Sequence, residues 1–268
     1  MGTAIVVTSG KGGTGKTSIT GGVAGSLARL GHSVLCIDMD IGLRNLDISL
    51  GLSDRALMDF SDVAEGRCPL VRAAVNHPDL PGLALLTAPM TLSPALTEEA
   101  VRRMLDTARS LYDYVLIDSP AGLGAGFRMA CCGADRAIVV STNDASSLRD
   151  AQRTVGELDF LRQIHLVMNR IQPKLLRQLR TTIDDAMDTA GLPLLGVVPE
   201  DPQVMLSANL GRPLILGGRQ GAANACLNVA KRLEGRRVPI MLIRRTPFRH
   251  LYKGGLPHHE HRTDEPRP

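Results

Sequence analysis

Residues 3–17 read TAIVVTSGKGGTGKT, and this stretch decides the fold. Its first six residues form an apolar run with several β-branched side chains, which is typical of a buried strand. A glycine-rich segment follows, and between Thr17 and Leu30 the apolar residues recur at helical spacing. The order is therefore strand, tight loop and helix, which is the framework that a phosphate-binding loop requires.

The loop itself matches the pattern G-x-x-x-x-G-K-[ST]. It consists of Gly10, Lys11, Gly12, Gly13, Thr14, Gly15, Lys16 and Thr17. In such a loop the backbone N–H groups turn toward phosphate oxygens, and the following helix adds its partial positive charge. We expect Lys16 to reach the terminal phosphates and Thr17 to offer its hydroxyl to Mg²⁺. The alternative is a glycine-rich turn without a ligand, which the spacing and the strand–helix context disfavour.

The alternation of strand and helix continues along the chain. Strands are predicted at Thr3–Thr8, Ser33–Asp38, Leu83–Leu86, Tyr114–Asp118, Arg136–Val140, Ile164–Asn169 and Leu194–Val198. Helices are predicted at Thr17–Leu30, Thr97–Leu111, Ser146–Leu161, Thr181–Ala190 and Ala222–Glu234. Almost wholly apolar strands that alternate with helices indicate an α/β fold, a doubly wound and mostly parallel sheet covered by helices on both faces. We assign this domain to residues 1–235.

Carboxylates follow two of the predicted strands. Asp38 and Asp40 come at and just after the end of the second strand, and Asp118 ends the strand that starts at Tyr114. Residues at the carboxyl ends of strands line the ligand crevice of an open α/β sheet. We therefore predict a magnesium site formed by Thr17, Asp38 and Asp118. An aspartate that only caps a turn is the alternative for Asp118 taken alone.

An amide and a guanidinium follow a later strand. Asn169 and Arg170 end the run Val-Met-Asn-Arg. An asparagine amide can pair with an adenine edge, and an arginine can stack on a ring. The pair is weak evidence by itself, but it is consistent with a nucleotide as the ligand.

Lys11 is additional to the standard phosphate loop. With it the loop reads K-G-G-x-G-K-T, which resembles the deviant phosphate-loop ATPases, a family of cell-division and partition proteins. This resemblance implies an ATP-dependent homodimer in which Lys11 contacts the phosphates bound to the partner, much as an arginine finger supplies charge during phosphoryl transfer. The alternative for Lys11 is a solvated loop lysine.

Other segments resemble the MinD branch of that family, from Thr3 to about Leu233. The segment IDMDIGLRNLD at residues 37–47 resembles its first switch, which implies that Asp40 orients the attacking water and that Asn45 lies at the dimer interface. SPAG at residues 119–122 resembles its second switch, but Gly124 stands where relatives commonly have an acidic residue. The resemblance assigns adenine contacts to Asn169 and to the loop with Pro199 and Glu200.

The resemblance implies that Lys11, Lys16 and Asp40 act in ATP hydrolysis, with ATP and Mg²⁺ as cofactors. It implies an ATPase that cycles on and off an anionic membrane to position the division septum, with partners of the MinC and MinE type. A partition ATPase that binds DNA nonspecifically is the alternative, and a flagellar-number regulator of the same family is another. An iron–sulfur carrier is disfavoured, because the five cysteines at 36, 68, 131, 132 and 226 include no C-x-x-C pair.

Basic charge is concentrated near the carboxyl end. Residues 1–229 carry 21 basic and 23 acidic side chains, whereas residues 230–255 carry eight basic side chains and one acidic. Within the tail, residues 236–268, the segment 244–254 places Phe248, Leu251 and Tyr252 on one helical face among basic residues. This pattern loosely resembles the membrane anchor of the MinD branch. A solvated basic arm is the alternative, because Pro239 and Pro247 interrupt a helical pattern.

Composition excludes several other classes. Aromatic residues make up 3% of the chain and tryptophan is absent, so base-stacking surfaces for single strands have little material. The apolar stretches are much shorter than the roughly 20 residues of a membrane-spanning helix. Residues 1–8 lack the basic and apolar regions of a secretory signal. We therefore expect a cytoplasmic protein, and the resemblance to the MinD branch implies that it is peripheral on the inner face of the cell membrane.

Overall fold

The computed structural model describes residues 1–240. Segment 244–254 of the tail, with Phe248, Leu251 and Tyr252, lies outside the described residues. Within residues 1–240, eight strands form one sheet in the order β3-β4-β2-β5-β1-β6-β7-β8. The strands are β1 (Thr3–Thr8), β2 (Val34–Asp38), β3 (Val75–Asn76), β4 (Leu83–Leu86), β5 (Tyr114–Asp118), β6 (Arg136–Ser141), β7 (Ile164–Ile171) and β8 (Leu194–Pro199). Neighbouring strands are parallel except β3 and β4.

Helices cover both faces of this sheet. In the described residues they are α1 (Lys16–Arg29), α2 (Asn45–Leu50), α3 (Phe60–Ala64), α4 (Leu70–Ala73), α5 (Glu98–Leu111), α6 (Ala125–Cys131), α7 (Ala145–Gly156), α8 (Pro173–Leu179), α9 (Ile183–Ala190), α10 (Pro202–Asn209) and α11 (Gly221–Leu233), with a short 3₁₀ turn at Leu214–Leu216. The predicted fold class, a doubly wound and mostly parallel α/β sheet, is confirmed.

The core has two halves because side chains alternate across the sheet. In β1, Ala4 and Val6 belong to the half that also contains Leu105 of α5, while Ile5 and Val7 belong to the half that contains Leu27 of α1. All the residues of β1 after Thr3 are buried. Burial of both faces explains why the strands read as continuous apolar runs rather than as an alternating pattern.

The long elements agree with the sequence prediction within a few residues, as do the short strand β4 and helix α9, but most of the other short elements were not predicted. The helix predicted at Ser146–Leu161 ends at Gly156, and the strand predicted to end at Asn169 continues to Ile171. Helices α2, α3, α4, α6, α8 and α10 were missed, as was the two-residue strand β3. A helix of four to eight residues spans about two turns or fewer, so its apolar period gives little signal in the sequence. Among the described helices of this length, α9 alone was predicted.

Strand β1 occupies the middle of the sheet, between β5 and β6. The chain moves from β1 to β2 on one side and reaches β6 on the other. Such a reversal of direction opens a crevice at the carboxyl ends of the strands. The phosphate loop follows β1 directly, so it lies in this crevice.

The chain stays attached to the domain after α11 ends. Arg232 donates to the carbonyl oxygen of Leu195 in β8 at 2.8 Å, and also to the carbonyls of Val238 at 3.1 Å and Pro239 at 2.6 Å. Burial lowers the pKa of Arg232 to about 10. Ile240, which follows Pro239, is also buried. The packed part of the chain thus extends at least to Ile240, beside the edge strand β8.

Candidate nucleotide-binding site

The phosphate loop has the backbone that its glycines make possible. Gly13 and Gly15 have φ angles of 78° and 89°, a region that residues with a Cβ rarely adopt. A Cβ at Gly15 would also lie 2.3 Å from Nδ2 of Asn169. Gly10, Lys11 and Gly12 precede this turn, and Lys16 begins α1. The loop is therefore a narrow cradle at the N-terminus of a 14-residue helix.

Three predicted site residues meet below the loop. Strands β2 and β5 pair in a register that sets Asp38 opposite Asp118. Thr17 Oγ1 donates to Asp118 Oδ2 at 2.7 Å. Asp38 accepts hydrogen bonds from the backbone N–H groups of Asp40 at 2.9 Å and Leu46 at 3.2 Å. The tertiary structure thus brings together the hydroxyl and the two carboxylates that the sequence singled out.

Burial dominates the electrostatics of these groups. It raises the pKa of Asp118 to about 7 against the opposing hydrogen bond from Thr17, and it raises the pKa of Asp38 to about 6. It also raises the pKa of Asp40, and nearby Lys16 opposes that shift. Burial lowers the pKa of the Lys16 ammonium group, while Asp118 and Asp40 raise it. Buried carboxylates beside a buried ammonium group suit a site that binds both a cation and phosphate.

Asn169 and Arg170 line the far side of the loop. Asn169 is buried, and its Nδ2 donates to the carbonyl of Thr14 at 2.8 Å. Arg170, with a φ of 55°, donates through Nε to Glu200 Oε2 at 2.8 Å. These residues line a cavity of about 470 Å³ together with Pro199 and with apolar side chains, among them Ile19, Val204, Met205 and Leu214. An apolar cavity next to a phosphate loop has the chemistry that a nucleobase requires.

Lys11 points to α7. Its Nζ lies 3.2 Å from Asp144 Oδ1 and 2.7 Å from Ser146 Oγ. Asp144 is the N-cap of α7 and also accepts from the backbone N–H of Ser147. Burial by itself would raise the pKa of Asp144, but hydrogen bonds from Thr142, Ser146, Ser147 and Lys11 hold it well below its usual range. In this chain Lys11 is therefore paired with Asp144 rather than directed into its own loop.

The remaining predicted residues lie at the rim of the site or outside the described chain. Asn45 is exposed at the first position of α2, after Arg44, whose φ is 47°. Gly124 is the N-cap of α6, and a Cβ there would meet nothing within 4 Å, so a larger residue has room at that position. The tail residues Phe248, Leu251 and Tyr252 are beyond residue 240.

Within residues 1–240 the structure contains no cluster of three or more potential metal-ligating His, Cys, Asp or Glu side chains. The five cysteines are free thiols, and Cys131 is buried while Cys132 is partly buried. None of the helices in that same range is both long and apolar enough to cross a membrane.

Sequence reasoning missed two residues of the site. Thr20 lies one turn after Thr17, and its hydroxyl is within hydrogen-bond distance of Asp118 Oδ1, at 3.1 Å, and of the Lys16 carbonyl, at 3.0 Å. The spacing of three residues from Thr17 could have indicated it, since i and i+3 share a helix face. Asp144 carries no local signal, because its partner Lys11 lies 133 residues away.

The site fits a magnesium nucleotide. The buried Oγ1 of Thr14 has no hydrogen-bond partner within the described chain, although it belongs to the loop that would surround a phosphate. Thr17, Asp38 and Asp118 offer the oxygen ligands that Mg²⁺ prefers. The cavity beside Asn169 has the apolar walls that a base needs.

Comparison with known proteins gives the same family. The chain matches the model of the CobQ/CobB/MinD/ParA nucleotide binding domain over residues 5–214. It is 39% identical over 242 residues to the septum site-determining protein MinD of Synechocystis, covering 88% of this chain and 91% of that protein. It is also 39% identical over 249 residues to MinD of Bacillus subtilis, covering 91% of this chain and 93% of that protein.

Solved structures agree. A chain of the MinC:MinD cell division complex of Aquifex aeolicus superposes with a TM-score of 0.84 at 37% identity, covering 90% of this chain and 98% of that one. MinD from Pyrococcus horikoshii, solved with Mg-ADP, has a TM-score of 0.77 at 27% identity and covers 87% and 96%. The family model and these relatives agree with what the phosphate loop and the paired aspartates indicate. The chain therefore belongs to the CobQ/CobB/MinD/ParA nucleotide-binding family, as a MinD-like cell-division ATPase.

Proposed function

We propose that this MinD-like protein is a Mg²⁺-dependent ATPase that forms a homodimer with ATP. In the dimer, each subunit would contribute Lys11 to the nucleotide of the other. The dimer would bind the anionic inner face of the cell membrane through its tail, and hydrolysis would release it. The cycle would serve the placement of the division septum.

The observation that carries the proposal is the position of Lys11. Its ammonium group is half exposed, and its partners are Asp144 and Ser146 at the start of α7, on the surface. An exposed ion pair of this kind contributes only about 0.2–1 kcal/mol. A triphosphate held by a second subunit is a much stronger attractor for an ammonium group, so Lys11 can leave Asp144 at little cost.

The chain's own residues divide the chemistry between them. Lys16 and the loop N–H groups would bind the phosphates, and Thr17, Asp38 and Asp118 would hold Mg²⁺, which supplies positive charge to the phosphate oxygens when bound. Asp40 would orient the attacking water, and the partner's Lys11 would stabilise the negative charge that develops. Asn169, Arg170, Pro199 and Glu200 would surround the adenine.

The partners follow from relatives rather than from contacts in this chain. A solved neighbour is a MinC:MinD complex, which supports a division inhibitor of the MinC type as a partner. We propose a MinE-type protein as the stimulator of hydrolysis. Asn45, exposed beside the first switch, would lie at the dimer interface.

Dimerisation is the first test. The parent chain and Lys11→Ala are compared by sedimentation velocity with Mg²⁺ and a non-hydrolysable ATP analogue. Lys231→Ala is the control, because it also removes one lysine but lies outside the phosphate loop. We expect the parent and Lys231→Ala to dimerise and Lys11→Ala to bind the analogue but stay monomeric. A monomeric parent would contradict the proposal.

Membrane binding is the second test, and it separates the two functional classes. The full chain and a chain that stops after Ile240 are sedimented with vesicles of phosphatidylglycerol and phosphatidylcholine, and separately with DNA, in ATP and in ADP. An apolar anchor keeps a salt-resistant component of vesicle binding, whereas DNA binding falls steeply with salt. Equal vesicle binding by both chains would exclude the tail as the anchor, and DNA binding alone would favour a partition ATPase.

A further inference from the structure

Helix α8 has a composition unlike that of the rest of the domain. Residues 170–183 read RIQPKLLRQLRTTI and contain four basic residues and no acidic residue. Residues 1–229 as a whole are almost neutral, with 21 basic and 23 acidic side chains. The segment is therefore a local concentration of positive charge, in which the basic residues are interspersed with leucines.

Most of α8 is directed to solvent. Of residues 173–179, all of which the structure describes, only Leu176 is buried. Lys174 and Arg177 are exposed, and Leu175 and Leu179 are 43% and 50% exposed. Leu175 and Leu179 are four residues apart, so they share one side of the helix. Lys174 and Arg177 are three residues apart and form a neighbouring stripe, with Lys174 nearer to the two leucines. The outer surface of α8 is thus an apolar stripe beside a basic one.

Helix α8 lies on the surface of the domain. The helix is held to the domain by Leu176, and the chain then turns at Arg180, which has a φ of 52° and is exposed. An exposed helix with half-exposed leucines beside cations has the amphipathic character of helices that bind an anionic membrane surface. It carries none of the buried aromatic or arginine anchors that dominate protein interfaces.

The position of α8 in the fold supplies a second observation. It follows β7, which neighbours the edge strand β8. Arg232 ties Val238 and Pro239 to Leu195 near the start of β8. From Leu195 to the carboxyl end of β8 is about 13 Å at roughly 3.3 Å per residue. Leu195 is near the amino end of β8, whereas α8 follows the carboxyl end of β7, so the two lie toward opposite ends of the strands. Leu176 of α8 and Ile240 nevertheless belong to the same half of the core, so the described chain ends on the same face of the sheet as α8. Five basic residues between Arg244 and Arg262 follow in the sequence.

We propose that α8 is a second membrane contact, which lays Leu175 and Leu179 into the interface of an anionic bilayer while Lys174, Arg177 and Arg180 pair with lipid phosphates. The inference rests on the proposed membrane cycle and adds to it a surface that orients the domain. A lone tail leaves the domain free to rotate, whereas two contacts on one face of the sheet would hold it in one orientation. Each cation near an anionic surface contributes about a fivefold factor in partitioning.

Nucleic acid and an acidic protein are the competing occupants. A phosphodiester backbone would pair with the cations but leave the two leucines exposed to water, so it uses only half of the surface. An acidic protein partner usually needs about 800 Å² per side, which is far more than one helix of seven residues offers. An anionic bilayer uses both stripes and needs no pocket.

Tryptophan fluorescence tests the contact directly, because the chain contains no tryptophan. Leu175→Trp and Leu179→Trp are compared with Leu111→Trp, whose leucine is also about half exposed but lies at the end of α5. With ATP and phosphatidylglycerol vesicles we expect a blue shift and quenching by brominated lipid for the two α8 reporters and neither for Leu111→Trp. No change at either α8 reporter, while the vesicles pellet the protein, would overturn the inference.

Charge reversal gives an independent measure. The double variant Lys174→Glu/Arg177→Glu is compared with the control double variant Arg72→Glu/Arg103→Glu. The control makes the same change in charge at exposed sites of α4 and α5. We expect the α8 variant to keep ATP-dependent dimerisation and to lose at least about tenfold in vesicle affinity, and the control to lose much less. Equal losses would mean that net charge alone acts, and this would overturn the inference.

The remaining outcomes also separate the two proposals. If the parent binds vesicles with ATP and the α8 variant binds equally well, the inference fails and the proposed function stands. If the α8 variant binds vesicles normally but loses stimulation by a protein, or binding to DNA, the surface belongs to that partner. If the parent does not bind anionic vesicles, the membrane cycle itself fails and the inference fails with it.

Discussion

Asp144→Asn should strengthen the proposed ATP-dependent dimer. The substitution removes the charge that holds Lys11 in the single chain, where Nζ lies 3.2 Å from Asp144 Oδ1. Asparagine is as good an N-cap as aspartate, so the hydrogen bond from the Ser147 N–H that begins α7 is retained. The change therefore acts on the ion pair while leaving the helix start in place.

The magnitude follows from the exposure of the pair. The side chains of Lys11 and Asp144 are 45% and 50% exposed, which places the pair in the range of about 0.2–1 kcal/mol. Forming one proposed dimer would break two such pairs, so the parent would lose about 0.4–2 kcal/mol that the variant does not lose. At about 1.4 kcal/mol per tenfold change, the variant dimer should be about 2- to 30-fold tighter.

Sedimentation equilibrium with Mg²⁺ and a non-hydrolysable ATP analogue measures this change. Ser146→Ala is the control, because it removes the 2.7 Å hydrogen bond to Lys11 but leaves the charge of Asp144. We expect it to have a smaller effect than Asp144→Asn. A dimer that is as weak as that of the parent, or weaker, would show that Asp144 does not compete for Lys11 and would refute the reasoning.

Three further predictions concern the carboxylate cluster and the end of α11. Thr20→Val should lower the free energy of unfolding by about 1–2 kcal/mol in urea denaturation, because Asp118 loses a donor; Thr20→Ser, which keeps the hydroxyl, should be closer to the parent. Burial raises the pKa of Asp118 from 3.8 to about 7. Without ligand, between about pH 4 and about pH 7, the folded parent therefore holds a proton that the unfolded chain has lost. The free energy of unfolding of the parent, relative to that of Asp118→Asn, should fall as the pH rises through this range. A constant difference across that range in urea denaturation would contradict this. Arg232→Met should lower the free energy of unfolding by about 2–3 kcal/mol, since three carbonyls lose their donor, while Arg236→Met on the surface should change it by less than about 1 kcal/mol. Equal effects of these two variants in urea denaturation would show that the Arg232 contacts are not stabilising.

The local part of the site was predictable because its signal is contiguous. The loop from Gly10 to Thr17 follows a strand and begins a helix within 15 residues, so spacing alone identifies it. The proximity of Asp38 and Asp118 was also predictable, since each ends an apolar strand and strand ends of a parallel sheet face one crevice. Most of the short helices were not found, because a segment of two turns or fewer shows little periodicity in the sequence.

What the sequence determined by itself is therefore the alternation of strand and helix and the chemistry of the loop, both of which arise from residues close together in the chain. The tertiary structure decided which distant groups meet: Asp38 opposite Asp118 in the β2–β5 register, Thr20 beneath the same carboxylate, and Lys11 paired with Asp144. It also decided that α8 is attached through one leucine and leaves its basic and apolar stripes to solvent. Contacts between residues 80 or more positions apart depend on strand order and packing, and no local pattern encodes them.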